Sequence, residues 1–469
     1  MRGKRKNIIY ENIKVIDTAS KGKSVGKTID GKTIFIEKGV PGDIVNVNVY
    51  KKRKGFLEGR IEKLVTKSSK RIDPKCDHFG VCGGCKWQNM DYSSQLHFKE
   101  KEVHENIKRI GKIELIKPEP ILGSSEEYFY RNKMEFSFSN RRWLHVEEID
   151  DKKNDLNKNG LGFHKPGMWD KIIDIHKCYL QKDPSNEIRN SIRKFSFEND
   201  LPFYDYYNKN GLLRTLMIRT SSSGDLMVLI QFFKNDLKKI NGLLDYLKSE
   251  FSEISSLNYC INMKDNDTLY DQKVICYSGK TYITETMDDL KFRITPKSFY
   301  QTNSKQAYEL YKITLDFANL NGHEIVYDLY TGTGTIAQFV SKKCSKVIGI
   351  ESVPEAIKAA ESNAKINTIK NVEFVVGDMK TVFNDKFVAK YGKADLVITD
   401  PPRDGMHKKV IEQILKLSPK KIVYVSCNSA TQARDLLLLK DVYEITRSRA
   451  VDMFPQTHHI ENVVLLEKK

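Results

Sequence analysis

A cysteine ends an apolar run in VYVSCNSA (423–430), where Lys421 and Ile422 lead through Val423, Tyr424 and Val425. Such a run reads as a buried strand, and open α/β sheets bind ligands outside the carboxyl ends of their strands. Cys427 is therefore either a small hydrophobe that finishes a core strand or a nucleophile presented to a substrate. Thiols are a few per cent thiolate near about pH 7 and strongly nucleophilic. For an isolated cysteine the structural reading would win; the motifs around this one reverse the choice.

The first of these is DLYTGTGTIA (328–337), a strand through Asp328, a turn at Gly332 and Gly334, and a helix start. Dinucleotide and nucleotide binders share such turns. Glu351 sharpens the reading, because it ends the next strand where a carboxylate accepts hydrogen bonds from ribose hydroxyls. Asp378, after the third strand, is placed to do the same for an adenine amino group. Together they point to S-adenosylmethionine in a Rossmann-like fold. In TDPPRDG (399–405), Asp400 ends the fourth strand and two prolines stiffen its exit, which holds the carboxylate in place. Methyl transfer to carbon needs an electron-rich carbon, and uracil C5 is poorly nucleophilic. A thiolate added at C6 makes the ring an enolate, after which a base must remove the C5 proton. VDMFPQTHHIENVV (451–464) supplies Glu461 for that role. The adjacent His458 and His459 read as structural.

SFYQTN (298–303), DLYTGTG, TDPPRDG, SCN and FPQTHHIE occur in the order seen in the RNA uracil-C5 methyltransferase family. The chain resembles that family over its whole length, most closely the RumA-type 23S rRNA enzymes. The resemblance implies Cys427 as nucleophile and Glu461 as proton acceptor. It implies Gln301, Tyr330, Glu351 and Asp400 as S-adenosylmethionine and active-site positions, with Thr335 added, and Phe299 stacked near a flipped uridine. The expected product is 5-methyluridine in 23S rRNA, with the T-loop of tRNA as the alternative substrate. The family's bacterial tRNA enzymes usually lack both the barrel and the cysteine cluster described below. A cytosine-C5 enzyme would show a proline–cysteine pair, which is absent, and a non-catalytic module would not need Cys427 and Glu461. One departure stands out: Ser429 follows Cys-Asn where the family has proline, although Thr431 is retained. A less rigid loop is expected there.

CDHFGVCGGCKW (76–87) holds Cys76, Cys82 and Cys85 in a C-x5-C-x2-C pattern, and HKCYL (176–180) offers Cys178 as a fourth ligand. The pattern resembles the family's [4Fe–4S] site, whose irons are held by four thiolates. Zinc is the alternative, since four-cysteine zinc sites also join distant ligands. Radical enzymes that use S-adenosylmethionine would show C-x3-C-x2-C, so the cluster's expected role is structural or RNA-facing. Cys260, Cys276 and Cys344 read as core or surface thiols.

The elements that must position these groups fall into three stretches, giving an α/β fold class with two further domains. Residues 1–66 alternate short β runs with the turns IDGK and GVPGD, an OB-like β barrel similar to a TRAM domain. Residues 67–295 form a mixed α+β central domain. It carries the cysteines, a polar loop at 147–160, and a strand pair around SSSGD within 201–233. In YFYRNK (128–133), Arg131 and Lys133 beside aromatics suit contacts with unpaired RNA, or equally a half-buried strand with a charged face. Residues 296–469 alternate strand and helix, which predicts a doubly wound Rossmann-like methyltransferase domain closed by YEITRSRAV and HIENVVLLEK.

The net charge of +17 suits a polyanionic partner, RNA. No run of 18 apolar residues exists to span a membrane, and the amino terminus has no signal-like apolar region. A cytoplasmic, monomeric enzyme is expected, one that flips its target base out of the stack.

Overall fold

The computed structural model describes residues 8–144, 148 and 157–469, so most of the polar stretch 147–160 lies outside the described residues. Five strands close the amino-terminal barrel: β1 (Ile8–Ala19), β2 (Lys23–Lys27), β3 (Thr33–Glu37), β4 (Ile44–Lys52) and β5 (Phe56–Thr66). Val15, Ile34, Ile36, Val45 and Val47 fill it, each pointing inward at the period of two that a strand imposes. A helix, α1 (Tyr92–Arg109), and a short strand, β6 (Glu119–Leu122), follow.

The central sheet has seven strands: β7 (Lys133–Ser139), β8 (Gly160–His164), β9 (Ile172–Asp174), β10 (Leu213–Thr220), β11 (Leu226–Phe232), β12 (Ile254–Ile261) and β13 (Ile275–Gly279). β10 and β11 are the expected pair around SSSGD, antiparallel from Leu213↔Phe232 to Thr220↔Leu226. A two-stranded hairpin, β14 (Ile283–Met287) and β15 (Leu290–Ile294), leads onward.

The carboxy-terminal strands are β16 (Ile325–Leu329), β17 (Lys346–Glu351), β18 (Val372–Val376), β19 (Leu396–Thr399), β20 (Lys421–Ser426), β21 (Tyr443–Val451) and β22 (Glu461–Lys468). Their order is β18-β17-β16-β19-β20-β22-β21, with β6 completing an eight-stranded sheet. β18 to β20 run parallel, while β22 lies antiparallel to both β20 and β21. Each buried strand serves two cores by alternation. Val423 and Val425 join the layer of the helix Ser304–Ala318, whereas Ile422 and Tyr424 face the layer of α1 and Lys408–Leu417. The catalytic sheet thus draws an edge strand, β6, and a covering helix, α1, from upstream of residue 296. Among the described residues no helix is long and apolar enough to cross a membrane.

The connection from β21 to β22 is clamped by α1 and the segment before it. Lys99 and Asp452 form an ion pair of 2.6 Å with both side chains fully buried. Tyr92 donates its hydroxyl to the other Asp452 oxygen at 3.0 Å, and the Phe454 amide donates to Oδ1 at 3.0 Å. Gln95 and Gln456 exchange two bonds, Gln95 Nε2 to Gln456 Oε1 at 3.1 Å and Gln456 N to Gln95 Oε1 at 2.9 Å. The Lys86 and Trp87 amides both donate to the Gln456 carbonyl. Burial lowers the Lys99 ammonium from its ordinary value against the opposing pull of Asp452.

Removing one partner of such a pair leaves a buried charge unanswered. Asp452→Ala is expected to cost about 3–5 kcal/mol, while Lys99→Met with Asp452→Leu recovers most of it. Urea unfolding of the two variants checks this. An Asp452→Ala midpoint equal to that of the unaltered protein would sink it.

Candidate active site

The β20–β22 ladder pairs Val425 with Val463 and Ser426 with Asn462. Cys427 directly follows β20 and Glu461 opens β22, one residue before Asn462, so the end of this ladder brings the two close enough for the Glu461 carboxylate to bear on the Cys427 thiol. The two residues singled out for covalent chemistry therefore meet through sheet geometry, from positions 34 residues apart in the chain.

The electrostatics agree. Burial, then the Glu461 and Asp400 carboxylates, push the Cys427 thiol up to about 12, with Arg403 opposing. Burial, then Asp400, raise Glu461 well above the usual carboxylate range, again with Arg403 opposing. Asp400, one residue past β19, is raised by burial to about 7. Asp328, near the end of β16, is also raised to about 7, by burial first and by Asp400 and Glu351 among its neighbours, with a Thr331 hydrogen bond opposing. Its Oδ1 is buried and has no hydrogen-bond partner. Tyr311 is buried, and burial, then Asp400, Asp328 and Glu461, raise its hydroxyl, with Gln301 opposing. Such a group of buried carboxylates favours either a shared proton or a cationic occupant.

Asn428 fixes the loop after Cys427. Its side chain caps the helix Ser429–Leu439 by accepting from Ala430 N and Thr431 N, and its amide donates to the Arg403 carbonyl at 2.9 Å. Thr431 donates to the same carbonyl at 3.1 Å. Ser429 is the first helical residue, the position that proline favours; its hydroxyl accepts from Asn106 of α1 at 2.8 Å. The tether replaces the ring, so the expected loss of rigidity is offset.

Glu351 is held where the sequence reading put it. One oxygen accepts from Gly332 N at 3.2 Å, and the other accepts from Ser352 N at 2.7 Å and Val353 N at 3.0 Å. Gly334 turns the chain into the next helix at φ 72°, and a Cβ there would lie 2.7 Å from the Phe374 ring. Tyr330 also carries a positive φ, 64°, uncommon for a bulky residue and a mark of a constrained site. Tyr330 and Asp378 line a cavity of about 680 Å³ with Ser352, Pro402 and Met406. The Asp378 carboxylate also caps a short helix by accepting from Lys380 N at 2.9 Å. Gln301, Thr335, Glu351 and Asp400 do not line that cavity; Gln301 and Asp400 belong to the Cys427 group, and Thr335 is buried with its hydroxyl 3.4 Å from that of Thr333. Phe299 is 63% exposed beside them.

The four predicted ligand cysteines, all unpaired, line a second cavity of about 520 Å³. Among the described residues no group of three or more His, Cys, Asp or Glu side chains is placed to hold a metal ion. The four thiols line one space, and Cys85 feels the charges of Cys178, Cys82 and Cys76. Arg131 lines this cavity too and lies over the Phe454 ring at 5.7 Å, so it sits between the cysteines and the catalytic connection. YFYRN is not a strand; β7 begins at Lys133. His458 is lowered to about 3, by burial first and then by His459 and Lys86, and His459 to about 4, by burial first and then by Arg403 and Lys99. They are neutral at physiological pH. Arg403 and Tyr311 were missed as site residues: Arg403 lay inside a quoted motif, and nothing in the sequence marks Tyr311.

Comparison with known proteins agrees with this architecture. The tRNA (Uracil-5-)-methyltransferase family description matches residues 269–469, and the TRAM domain description matches residues 9–61. An uncharacterized RNA methyltransferase of Porphyromonas gingivalis is 50% identical, covering 97% of this chain and 99% of its own. One from Bacteroides thetaiotaomicron is 51% identical over 96% and 99%. The crystal structure of Pyrococcus abyssi tRNA (uracil-54, C5)-methyltransferase with S-adenosyl-L-homocysteine superposes with a TM-score of 0.74 at 28% identity, covering 97% of this chain and 100% of that one. Cys427, Glu461 and the sheet that brings them together thus stand in a chain that belongs to the RNA uracil-5-methyltransferase family, with an amino-terminal TRAM domain.

Proposed function

We propose that the protein methylates C5 of a uridine in 23S rRNA, with S-adenosylmethionine as methyl donor, giving 5-methyluridine. The meeting of Cys427 and Glu461 at the end of the β20–β22 ladder carries this reading. The donor supplies a methyl group on a sulfonium and departs as the neutral thioether. Cys427 Sγ bonds to C6, and the ring electrons pass to the C4 carbonyl as an enolate. C5 then forms its bond to the methyl carbon. Glu461 takes the C5 proton, the C5–C6 double bond re-forms, and the C6–S bond breaks to return the Cys427 thiolate.

The donor fits the residues present. Asp328 Oδ1, buried and unpartnered, suits the donor's positive charge, and Glu351 and Asp378 suit ribose and adenine. Gln301, Tyr330 and Asp400 complete the binding group, with Thr335 behind the Gly-rich turn. Phe299, exposed beside this group, would stack near the flipped uridine. The Pyrococcus abyssi enzyme is similar over nearly the whole chain and is a tRNA uracil-54 enzyme, so a T-loop uridine is the second reading. The domain limits proposed are 1–66, 67–295 and 296–469.

Cys76, Cys82, Cys85 and Cys178 hold a [4Fe–4S] cluster in this reading. The donor set is four thiols around a cavity larger than one ion needs. Zinc would draw the sulfurs to within about 3.8 Å of one another at a Zn–S length of about 2.3 Å.

Mass spectrometry of 23S rRNA and tRNA incubated with the protein and methyl-labelled donor tests the reaction. Methyl on uridine C5 is expected, lost by more than about 1,000-fold in Cys427→Ala. Glu461→Gln is expected to trap the methylated uridine on Cys427 as a denaturation-stable adduct, because the C5 proton has no acceptor. Full turnover by either variant would remove the mechanism, and methyl on tRNA alone would replace the substrate.

The pH dependence follows from the same group. The Cys427 thiol is raised to about 12 and Glu461 well above the usual carboxylate range, so the thiolate and the accepting carboxylate both gain as pH rises. Single-turnover rates should rise between about pH 6 and pH 9 with no falling limb. A flat or declining profile would contradict it.

For the cysteine cavity, protein purified without oxygen should contain iron and acid-labile sulfide in equal amounts, and Cys85→Ser should lose both. Zinc alone in the unaltered protein would overturn the cluster.

A further inference from the structure

Three segments distant in sequence meet at an exposed corner of the central domain. The β8–β9 connection turns through residues 165–171, where Lys165 N donates to Lys171 O at 2.8 Å. A second turn spans residues 205–210, where Asp205 N donates to Asn210 O at 2.7 Å. Trp169 and Tyr207 project from these turns, 60% and 53% exposed, with ring centroids 5.1 Å apart. The Arg141 guanidinium lies 4.2 Å from the Tyr207 centroid, and its Nε is 3.2 Å from the Asp170 carboxylate. Neither ring belongs to the central core. Two aromatic rings are therefore more than half exposed, with the Arg141 guanidinium packed over one face of Tyr207.

The charge beside this corner is mostly positive. Lys165 lies over the Trp143 ring at 5.2 Å and donates to the Val81 carbonyl at 3.3 Å. Burial first, then Arg60 and Lys86, lower Lys165, with Glu37 opposing. Burial first, then Lys165, Arg60 and Lys86, lower Lys38, again against Glu37. Lys86 also bears on His458, beside the catalytic connection, as does Arg403. Lys86, Lys38, Lys165 and Arg60 thus lie close enough to act on one another beside the barrel, with Glu37 among them. The repulsion among these cations is relieved by a polyanion, which releases counterions as it binds.

We infer that Trp169, Tyr207 and Arg141 form a stacking platform for unpaired RNA bases flanking the reacting uridine, reached along Lys86, Lys38 and Lys165. Every base offers a π-face, so aromatic planes bind single strands with little regard to sequence, while the lysines follow the backbone. The platform rests on the RNA reading above only in requiring an RNA ligand. It adds contact surface well outside the methyl-transfer cleft.

The test is binding by the full-length protein of a fluorescein-labelled single-stranded oligouridylate, measured across a series of salt concentrations. Trp169→Ala and Tyr207→Ala should each weaken binding about 5- to 150-fold and leave the salt slope unchanged. Trp169→Phe should retain most of the affinity. Lys165→Ala should instead reduce the slope of log K against log salt by about 0.7. The oligonucleotide should also quench tryptophan emission in the unaltered protein, and Trp169→Ala should lose that quench. Unaltered affinity in both alanine variants overturns the platform. If those variants then also lose self-association in sedimentation, the corner is a protein contact. A protein that binds RNA through the platform but transfers no methyl group to uridine would sink the C5 reading alone. C5 methylation with both alanine variants binding normally would sink the platform alone.

Discussion

The antiparallel register between β20 and β22 is the constraint on which the site depends. Ser426 facing Asn462 brings Cys427 near Glu461, and a slip of one residue would turn every side chain of β22 to the opposite face. Two cores resist that slip. Val463 and Leu465 fill one layer while Val464 and Leu466 fill the other, so displacement would exchange their partners wholesale. The strand's start is fixed separately, by Asp452 and Gln456 held to α1. Glu461 is therefore located by a sheet on one side and a clamp on the other. The proton acceptor proposed for this position would need that degree of fixity.

The same burial that fixes the site makes it electrostatically costly. Burial raises Asp328, Asp400 and Glu461, and the Asp400 carboxylate raises Asp328 and Glu461 further. Arg403 is the cation that opposes this at Cys427 and Glu461, and its carbonyl anchors the loop that presents Cys427. One residue thus ties the charge balance to the position of the thiol. Local rules broken at a single place, with compensation supplied around it, are what a functional site looks like against an otherwise consistent fold.

Much of this was legible in the chain because strands and turns have local signatures. The strands read through Asp328, up to Glu351 and Asp400, before Asp378 and from Lys421 are β16, β17, β19, β18 and β20, and the hairpin around SSSGD forms as read. The barrel was legible through its Val and Ile alternation, although β2, KSVGK, carries too little apolar signal to be found alone. What escaped were interactions across distance. Asn106 reaching Ser429, Tyr311 lying beneath the carboxylates, and β6 joining the catalytic sheet are products of packing, and no spacing encodes them. Ser429 shows the consequence. From sequence it is a missing proline, whereas in the fold it is a helix-start residue with a tether of its own.

The cysteine cavity and the catalytic site share a wall. Thr302 and Thr457 line the cavity, next to Gln301 and within the connection that ends at Glu461. Lys86 and Trp87 follow Cys85 directly, and their amides hold the Gln456 carbonyl. Any change in the shape of the cysteine loop is therefore felt at Gln456, because a backbone hydrogen bond transmits displacement more directly than side-chain packing. From there the Gln95 bonds and the Lys99–Asp452 pair oppose the movement, and the latter is fully buried and cannot reorganise through water. The two elements are joined through one hydrogen-bonded connection: the cysteine loop on one side, Glu461 on the other, and a buried ion pair between them.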